Sequence, residues 1–219
     1  MRAAYCDVDG TLTRTTIVTP MAWLMRRLLP PPWNRLWPLS LLVRGPWWLL
    51  LDRFSRAASN RSIYACYGGL SAADAQALGE ACCHAMIRSR LFPAAEQWLN
   101  QQRREGVRIV FVTGSLDFLI QPLAREFEAL CVAPALAVKD GCFTGQLVGP
   151  SMTGDLKARA VQTHAEVNGV DLSQSFALGD AAADLPMLEC VGRPLAVNPD
   201  AGLRRIAVAR HWPVLNWRD

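Results

Sequence analysis

Four times along this chain an apolar, β-rich run stops abruptly on a polar residue: AAYC before Asp7, VRIVFV before Thr113, SFALG before Asp180 and RPLAV before Asn198. Between and after these runs lie stretches of helical character, at about 94–105, 155–167, 184–190 and 200–210. Strands that alternate with helices build a mostly parallel sheet, so the pattern places the chain in the α/β class. Parallel strands turn their carboxyl ends to one side, and such sheets hold ligands outside those ends. Asp7 and Asp9, Thr113, and Asp180 with Asp184 should therefore converge on one edge.

Two regions depart from the alternation. LAVKDGCFTGQLVG, residues 136–149, reads as two short strands joined near Lys139-Asp140-Gly141, a small β-hairpin. Residues 15–65 form a long apolar segment interrupted by LLPPPWN and RGPWW. Proline clusters end helices, which predicts several short helices there. Ser71 and Asp74 have capping-box spacing and open a helix over 71–91, and Pro93 suits the first turn of the next one. At 219 residues, 51% of them apolar, the chain can bury one large core or a core plus a sizeable insert.

Charge is distributed unevenly. Residues 14–61 carry eight arginines against the single acid Asp52, although the whole chain nets only +4. That segment is built for anionic company and the rest is not, and no nucleic-acid partner is expected. Its tryptophans, at 23, 33, 37, 47 and 48, fit two readings: the core of a helical unit with a solvated arginine face, or a surface that meets lipid. The seven cysteines are odd in number and show neither CxxC pairs nor histidine at metal spacing, so they read as reduced core residues of a cytosolic protein. His84, His164 and His211 are scattered and read as structural or surface groups. The chain enters its first strand without the basic region and apolar run of a secretion signal, so a cytoplasmic location is expected. From Arg14 onward no uncharged apolar stretch approaches the ~18 residues of a membrane span, which leaves peripheral contact as the available mode.

The strand ends carry the chemistry. Asp7 and Asp9, at i and i+2, point to the same face of an extended chain and repel unless something cationic lies between them. With Asp180 and Asp184 they form an all-oxygen set suited to Mg²⁺. The hydroxyl of Thr113 and the backbone N–H of Gly114 suit phosphate oxygens. Lys157 is one of two lysines beside twenty-one arginines, and a compact ammonium suits a crowded phosphate pocket better than a guanidinium does.

DVDGTLT, VTGS, the lysine of GDLK and ALGDAAADLPML, in this order, resemble the four signature motifs of the haloacid dehalogenase superfamily, in the phosphoserine-phosphatase-like (subfamily IB) form. They span residues 7 to 184, and four motifs in order are far more specific than any one. The resemblance implies a Rossmann-like hydrolase core of residues 1–14 and 92–219, with 15–91 as a helical cap inserted after the first strand. It implies that Asp7 attacks phosphorus to form an aspartyl-phosphate, and that Asp9 protonates the leaving oxygen and later deprotonates water. Thr113, Gly114 and Lys157 would hold the phosphoryl group. Asp7, the backbone carbonyl of Asp9, Asp180 and Asp184 would hold Mg²⁺. The second aspartate of the first motif marks phosphatases rather than dehalogenases.

The chain departs from the pattern at Ala181 and Ala183, where relatives carry Ser or Gly, and Asn or Ser, so fewer hydrogen bonds should orient the aspartates. Phosphoserine phosphatases read the substrate ammonium with a carboxylate just beyond the first motif; here no acid lies between Gly10 and Leu51, which disfavours phosphoserine. The cap instead resembles those of phosphatases of phosphatidylglycerophosphate or lysophosphatidate. A lipid or glycerol-type phosphate is therefore expected as substrate, met at the anionic inner membrane face through residues 20–51. The alternatives are a small soluble organic phosphate as substrate, or a catalytically weak membrane-surface binding protein.

Overall fold

Strand β1 (Ala3–Cys6) opens the chain, and five helices follow: α1 (Val18–Leu28), α2 (Trp33–Phe54), α3 (Arg56–Tyr64), α4 (Ala72–Ala77) and α5 (Gly79–Cys82). The remainder alternates: α6 (Pro93–Arg104), β2 (Arg108–Val112), α7 (Asp117–Glu126), β3 (Leu130–Val132), the pair β4 (Leu136–Lys139) and β5 (Cys142–Leu147), α8 (Asp155–Asn168), β6 (Phe176–Gly179), α9 (Leu185–Glu189), β7 (Arg193–Val197), α10 (Ala201–Ala209) and β8 (Val214–Leu215). This is a computed structural model, and it describes residues 1–218. Six strands form one parallel sheet in the order β3-β2-β1-β6-β7-β8, and β4 pairs antiparallel with β5. The hairpin turns at Asp140-Gly141, both at positive φ, as a two-residue turn between twisted strands requires.

The central strands are apolar throughout because both faces of the sheet are covered. Along β1, Ala3 and Tyr5 enter one apolar cluster and Ala4 and Cys6 the other. In β2, Val110 and Val112 share the first cluster with residues of α8, α9 and α10, while Ile109 and Phe111 share the second with α6 and α7. The chain runs from β1 to β2 and β3 on one side, then returns to β6 and continues to β7 and β8 on the other. The carboxyl ends of β1 and β6 therefore flank a topological switch point, where a parallel sheet leaves an open crevice.

The helices between β1 and α6 differ from the expected pattern in two places. The triple proline 30–32 ends α1 as anticipated, but the RGPWW sequence does not break α2, which runs 22 residues through Pro38 and Pro46. Each proline removes one helical hydrogen bond. The far half of α2 is nevertheless tied to α3: Trp48 donates Nε1–H to Ser62 Oγ at 3.1 Å, and Ser59 Oγ donates to the Trp48 carbonyl at 3.0 Å. Tertiary packing thus overrides local propensity. In the second place, the Ser71 hydroxyl accepts from Asp74 N at 3.2 Å as the cap pattern predicts, yet the helix stops at Leu78. It resumes as α5, passes through a π turn at Cys83–Ile87 and packs on α7, with Cys82, Cys83 and Ile87 all buried.

The cysteines are all free; Cys6, Cys82 and Cys83 are buried and the other four are half-buried, so the core reading holds for only part of the set. Among the described residues no helix is long and apolar enough to cross a membrane.

Candidate active site

The site starts at the carboxyl end of β1. Asp7 N–H still pairs with the Leu178 carbonyl of β6, after which the chain turns back, with Leu12 N–H and Thr13 N–H both on the Val8 carbonyl at 3.0 Å. The turn passes through Gly10 at φ +86°, where a side chain is disfavoured on backbone grounds. It is excluded by contact as well, because a Cβ there would stand 2.1 Å from Asp180 Oδ2. From the end of β7, Asn198 donates Nδ2–H to the carbonyls of Gly10 (3.2 Å) and Thr11 (3.5 Å) and accepts Trp217 N–H at 2.7 Å. The C-terminal segment thereby clamps the loop.

Asp7, Asp180 and Asp184 meet beside this loop, one oxygen from each lying within 4.8 Å of the others. Lys157, in the first turn of α8, donates to Asp7 Oδ1 at 2.6 Å and to Asp184 Oδ1 at 2.7 Å, and all three side chains are at most 7% exposed. Thr11 Oγ1 donates to Asp7 Oδ2 at 2.9 Å and reaches Asp180 Oδ1 at 3.4 Å. Asp184 Oδ2 accepts the backbone N–H groups of Asp180 and Ala181, each at 3.3 Å. Main-chain donors and Thr11 thus orient the acids without any help from the side chains at 181 and 183.

The electrostatics follow from this crowding. Burial, helped by Asp184 and Asp9, raises the pKa of Asp7 against the opposing pull of Lys157. Burial together with Asp7 and Asp184 raises that of Asp180. Burial opposes the Lys157 ammonium, but Asp184 and Asp7 outweigh it and hold its pKa above the ordinary value. Three carboxylates, two of them buried and Asp180 half-buried, gathered about one ammonium favour a further cation. Carboxylate oxygens alone are the donor set that a hard divalent ion such as Mg²⁺ takes, so the residues fit that ion.

Asp9 stands apart from this cluster. Its Oδ1 accepts from Thr15 Oγ1 and its Oδ2 from Ser115 Oγ, both at 2.7 Å. Thr113 is fully buried, and its Oγ1 accepts Ser115 N–H at 3.0 Å. The Gly114 carbonyl accepts the hydroxyl of Tyr64, and Asn60 donates to Ser151 Oγ at 3.3 Å, so α3 closes over the strand ends from the other side. His164 accepts or donates at Nδ1 with the Tyr5 hydroxyl at 2.9 Å, whereas His84 and His211 are exposed, in keeping with structural and surface roles.

These groups floor a cleft of about 750 Å³. Asp7, Asp9, Gly114, Lys157, Asp180 and Asp184 line its base, and Ile17, Val18, Leu41, Trp48, Leu49 and Ile63 give it an apolar wall. Asp52 and Arg56 also line it, paired with each other at 3.1 Å. Burial opposes the Arg56 charge, but Asp52 and, farther away, Asp184, Asp7 and Asp180 raise its pKa. Thr11, Thr15, Ser115, Asn60, Tyr64, Arg56 and Asn198 join the site beyond the residues expected from the motifs. For Thr11 and Thr15 the signal lies in hydroxyls within or beside the first carboxylate motif, and for Ser115 in its place after Thr113-Gly114. Asn198 closes the fourth of the strand-end runs, while Asn60, Tyr64 and Arg56 arrive from a distant segment that carries no motif. The acid-free stretch from Gly10 to Leu51 ends one residue before Asp52, and the fold turns that carboxylate into the cleft.

Comparison with known proteins agrees with this geometry. The family model described as haloacid dehalogenase-like hydrolase matches residues 4–189. A protein of Streptomyces azureus named for inhibition of morphological differentiation is 40% identical over 136 residues, which are 61% of this chain and 49% of that protein. A phosphoserine phosphatase of Mycobacterium tuberculosis is 32% identical over 163 residues, 74% of this chain and 53% of its own length. The chain spans about half the length of the curated relatives it matches. Among solved structures, a Bordetella pertussis protein of unknown function superposes with a TM-score of 0.82 at 25% identity, covering 98% of this chain and 97% of that one. A substrate-bound phosphoserine phosphatase superposes with a TM-score of 0.71 at 17% identity, covering 100% and 95%, and so shares the fold. With the motifs in order, the carboxylates gathered at the switch point and the family model covering most of its length, the chain belongs to the haloacid dehalogenase-like hydrolases.

Proposed function

We propose that the chain is a Mg²⁺-dependent phosphomonoesterase working through an aspartyl-phosphate on Asp7, with residues 15–91 as its cap. The observation that carries the reading is the Asp7–Asp180–Asp184 cluster, buried at Asp7 and Asp184 and half-buried at Asp180, with Lys157 bound to two of its members at the floor of the cleft. Mg²⁺ held by Asp7, the Asp9 carbonyl, Asp180 and Asp184 would offset the negative charge of the incoming phosphate. An Asp7 oxygen attacks phosphorus and the ester P–O bond breaks, the leaving oxygen taking its proton from Asp9. Water then attacks the phosphorus, Asp9 accepts a proton from it, and the bond to Asp7 breaks to release inorganic phosphate. Ser115 and Thr15 hold Asp9 in position for both transfers. Gly114 and Lys157, which line the cleft, bind the transferring phosphoryl oxygens; the Thr113 hydroxyl, fully buried and outside the cleft lining, reaches them only by a local opening of the strand end.

For the substrate we favour a lipid or glycerol-type phosphate, because the wall facing the carboxylates is aliphatic and aromatic over several residues. The matching location is the cytoplasm, peripheral at the inner membrane face. A second reading, a small soluble organic phosphate, is supported by the Asp52–Arg56 pair, which offers one charge of each sign to a zwitterionic substrate. That pair weakens the sequence argument against phosphoserine. Hydrolysis of para-nitrophenyl phosphate with Mg²⁺ and with EDTA tests the reaction, and relative kcat/KM for lysophosphatidate, glycerol phosphate and phosphoserine tests the substrate. Absence of Mg²⁺-dependent turnover on all of them would leave only a surface-binding protein that keeps the fold.

A further inference from the structure

The outward face of α2 is apolar, and nothing among the described residues covers it. At about 100° per residue, Leu36, Leu39, Val43, Trp47, Leu50 and Phe54 fall within an arc of about 80° on that helix. They are between 45% and 82% exposed. Trp48, Leu41 and Asp52 lie on the opposite side, toward the cleft. Arg35 and Arg53 lie about 40° beyond one edge of the stripe and Arg44 about 60° beyond the other. All three are exposed. The only acid of this segment, Asp52, is turned to the cleft and paired with Arg56.

We propose that this stripe docks on an anionic bilayer, with α2 lying in the plane of the interface and the cleft opening beside the docked helix. An exposed apolar face with arginines among and beside its side chains, and with tryptophan in it, has the composition of an interfacial helix. The arginine border without any counter-acid complements anionic headgroups. Orientation comes from Leu42 and Leu49, 75% and 74% exposed, which lie about 60° and 80° beyond the stripe on the side of Arg35 and Arg53; Leu49 also lines the cleft, so exposed apolar side chains run from the stripe round one flank of α2 to the cleft. A phosphate monoester with an acyl chain can enter past Leu49 with its head toward Asp7 and its tail still in the bilayer. This inference rests on the lipid-phosphate reading above and extends it to the route by which substrate arrives.

The test uses vesicles of phosphatidylglycerol with phosphatidylcholine, vesicles of phosphatidylcholine alone, and para-nitrophenyl phosphate as a soluble reporter. The whole chain should sediment with the anionic vesicles and much less with the neutral ones. Arg35→Gln with Arg53→Gln should weaken anionic partitioning about 30-fold, the ratio that two losses of about 1 kcal/mol produce. Val43→Glu with Leu50→Glu should abolish it. Both pairs should leave soluble turnover and melting temperature unchanged, since these side chains touch neither the site nor the core. Soluble turnover without vesicle binding at low salt overturns the docking surface while the phosphatase stands. Vesicle binding without any soluble turnover supports the surface and removes the phosphatase. A stripe-dependent dimer in sedimentation velocity, with no lipid binding, assigns the face to a second copy and overturns the proposal. Equal binding by the Val43→Glu/Leu50→Glu variant overturns it too.

Discussion

Replacing Gly10 by alanine isolates the link between backbone geometry and the acidic cluster. The added Cβ would stand 2.1 Å from Asp180 Oδ2 and 2.8 Å from its Cγ. Ordinary contact is about 3.5 Å, so the carboxylate or the loop must move by roughly 1.4 Å. The loop has little room to give, because Asn198 holds the carbonyls of residues 10 and 11 and Asp7 is held at its N–H. Alanine at φ +86° also costs about 1–2 kcal/mol of backbone energy. Misplacing a reacting or metal-holding group by about 1 Å lowers rates on the order of 10²-fold. We expect kcat on para-nitrophenyl phosphate to fall by about that factor and the half-saturating Mg²⁺ concentration to rise, since Asp180 leaves its neighbours. The melting temperature in EDTA should drop by roughly 2–8 °C, from about 2–4 °C per kcal/mol for a chain of this size. A variant that melts lower but keeps wild-type kcat and Mg²⁺ requirement would show that Asp180 does not depend on this turn, and the reasoning would fail.

Asp7→Asn should abolish turnover at an unchanged melting temperature or a higher one, because an amide cannot accept phosphorus and also relieves carboxylate crowding; residual hydrolysis near wild type would remove Asp7 as nucleophile. Asp9→Asn should slow hydrolysis of esters with poor leaving groups by ~10²–10⁴-fold, and an unchanged rate would exclude Asp9 as general acid. Lys157→Met leaves Asp7 and Asp184 buried without their cation and should cost about 3–5 kcal/mol in denaturant unfolding without metal. That loss should shrink as pH is lowered and Asp7, whose pKa burial raises, takes up a proton, whereas a pH-independent loss would point to packing instead. Burial, reinforced by Arg108, lowers the His164 pKa, so the unfolded chain binds its proton first as pH falls. Stability from this residue is therefore unaffected above about pH 6.5 and declines as pH falls from there through the folded-state value. The stability difference between wild type and His164→Gln should be constant above that window and shift in favour of the variant below it; a flat difference throughout would mean that the ring titrates normally.

The α/β class and the edge carrying the site were legible because both are written locally. Strand ends follow from short apolar runs, and parallel strands have only one side on which Asp7, Thr113 and Asp180 can lie. Lys157 was legible through its rarity and its motif GDLK, and the first turn of α8, where it lies, aims it at the sheet edge. The clamp on the loop was not, because Asn198 lies 188 residues from the Gly10 carbonyl it holds. Nor was the orientation of the helical insert. Its amphipathic pattern admitted all five tryptophans as core or as surface, and only docking of α2 on α3 divides them, with Trp48 buried at 5% exposure and Trp33 and Trp47 more than half exposed. The same docking carries the helix through Pro38 and Pro46, where local propensity would end it. It also brings Asp52 and Arg56 into the cleft. Sequence by itself determined the chemistry at the strand ends, because spacing of two along a strand and adjacency along the chain decide it. Only the tertiary structure decided what the cleft offers a substrate, because that depends on which face of a distant helix is used to exclude water.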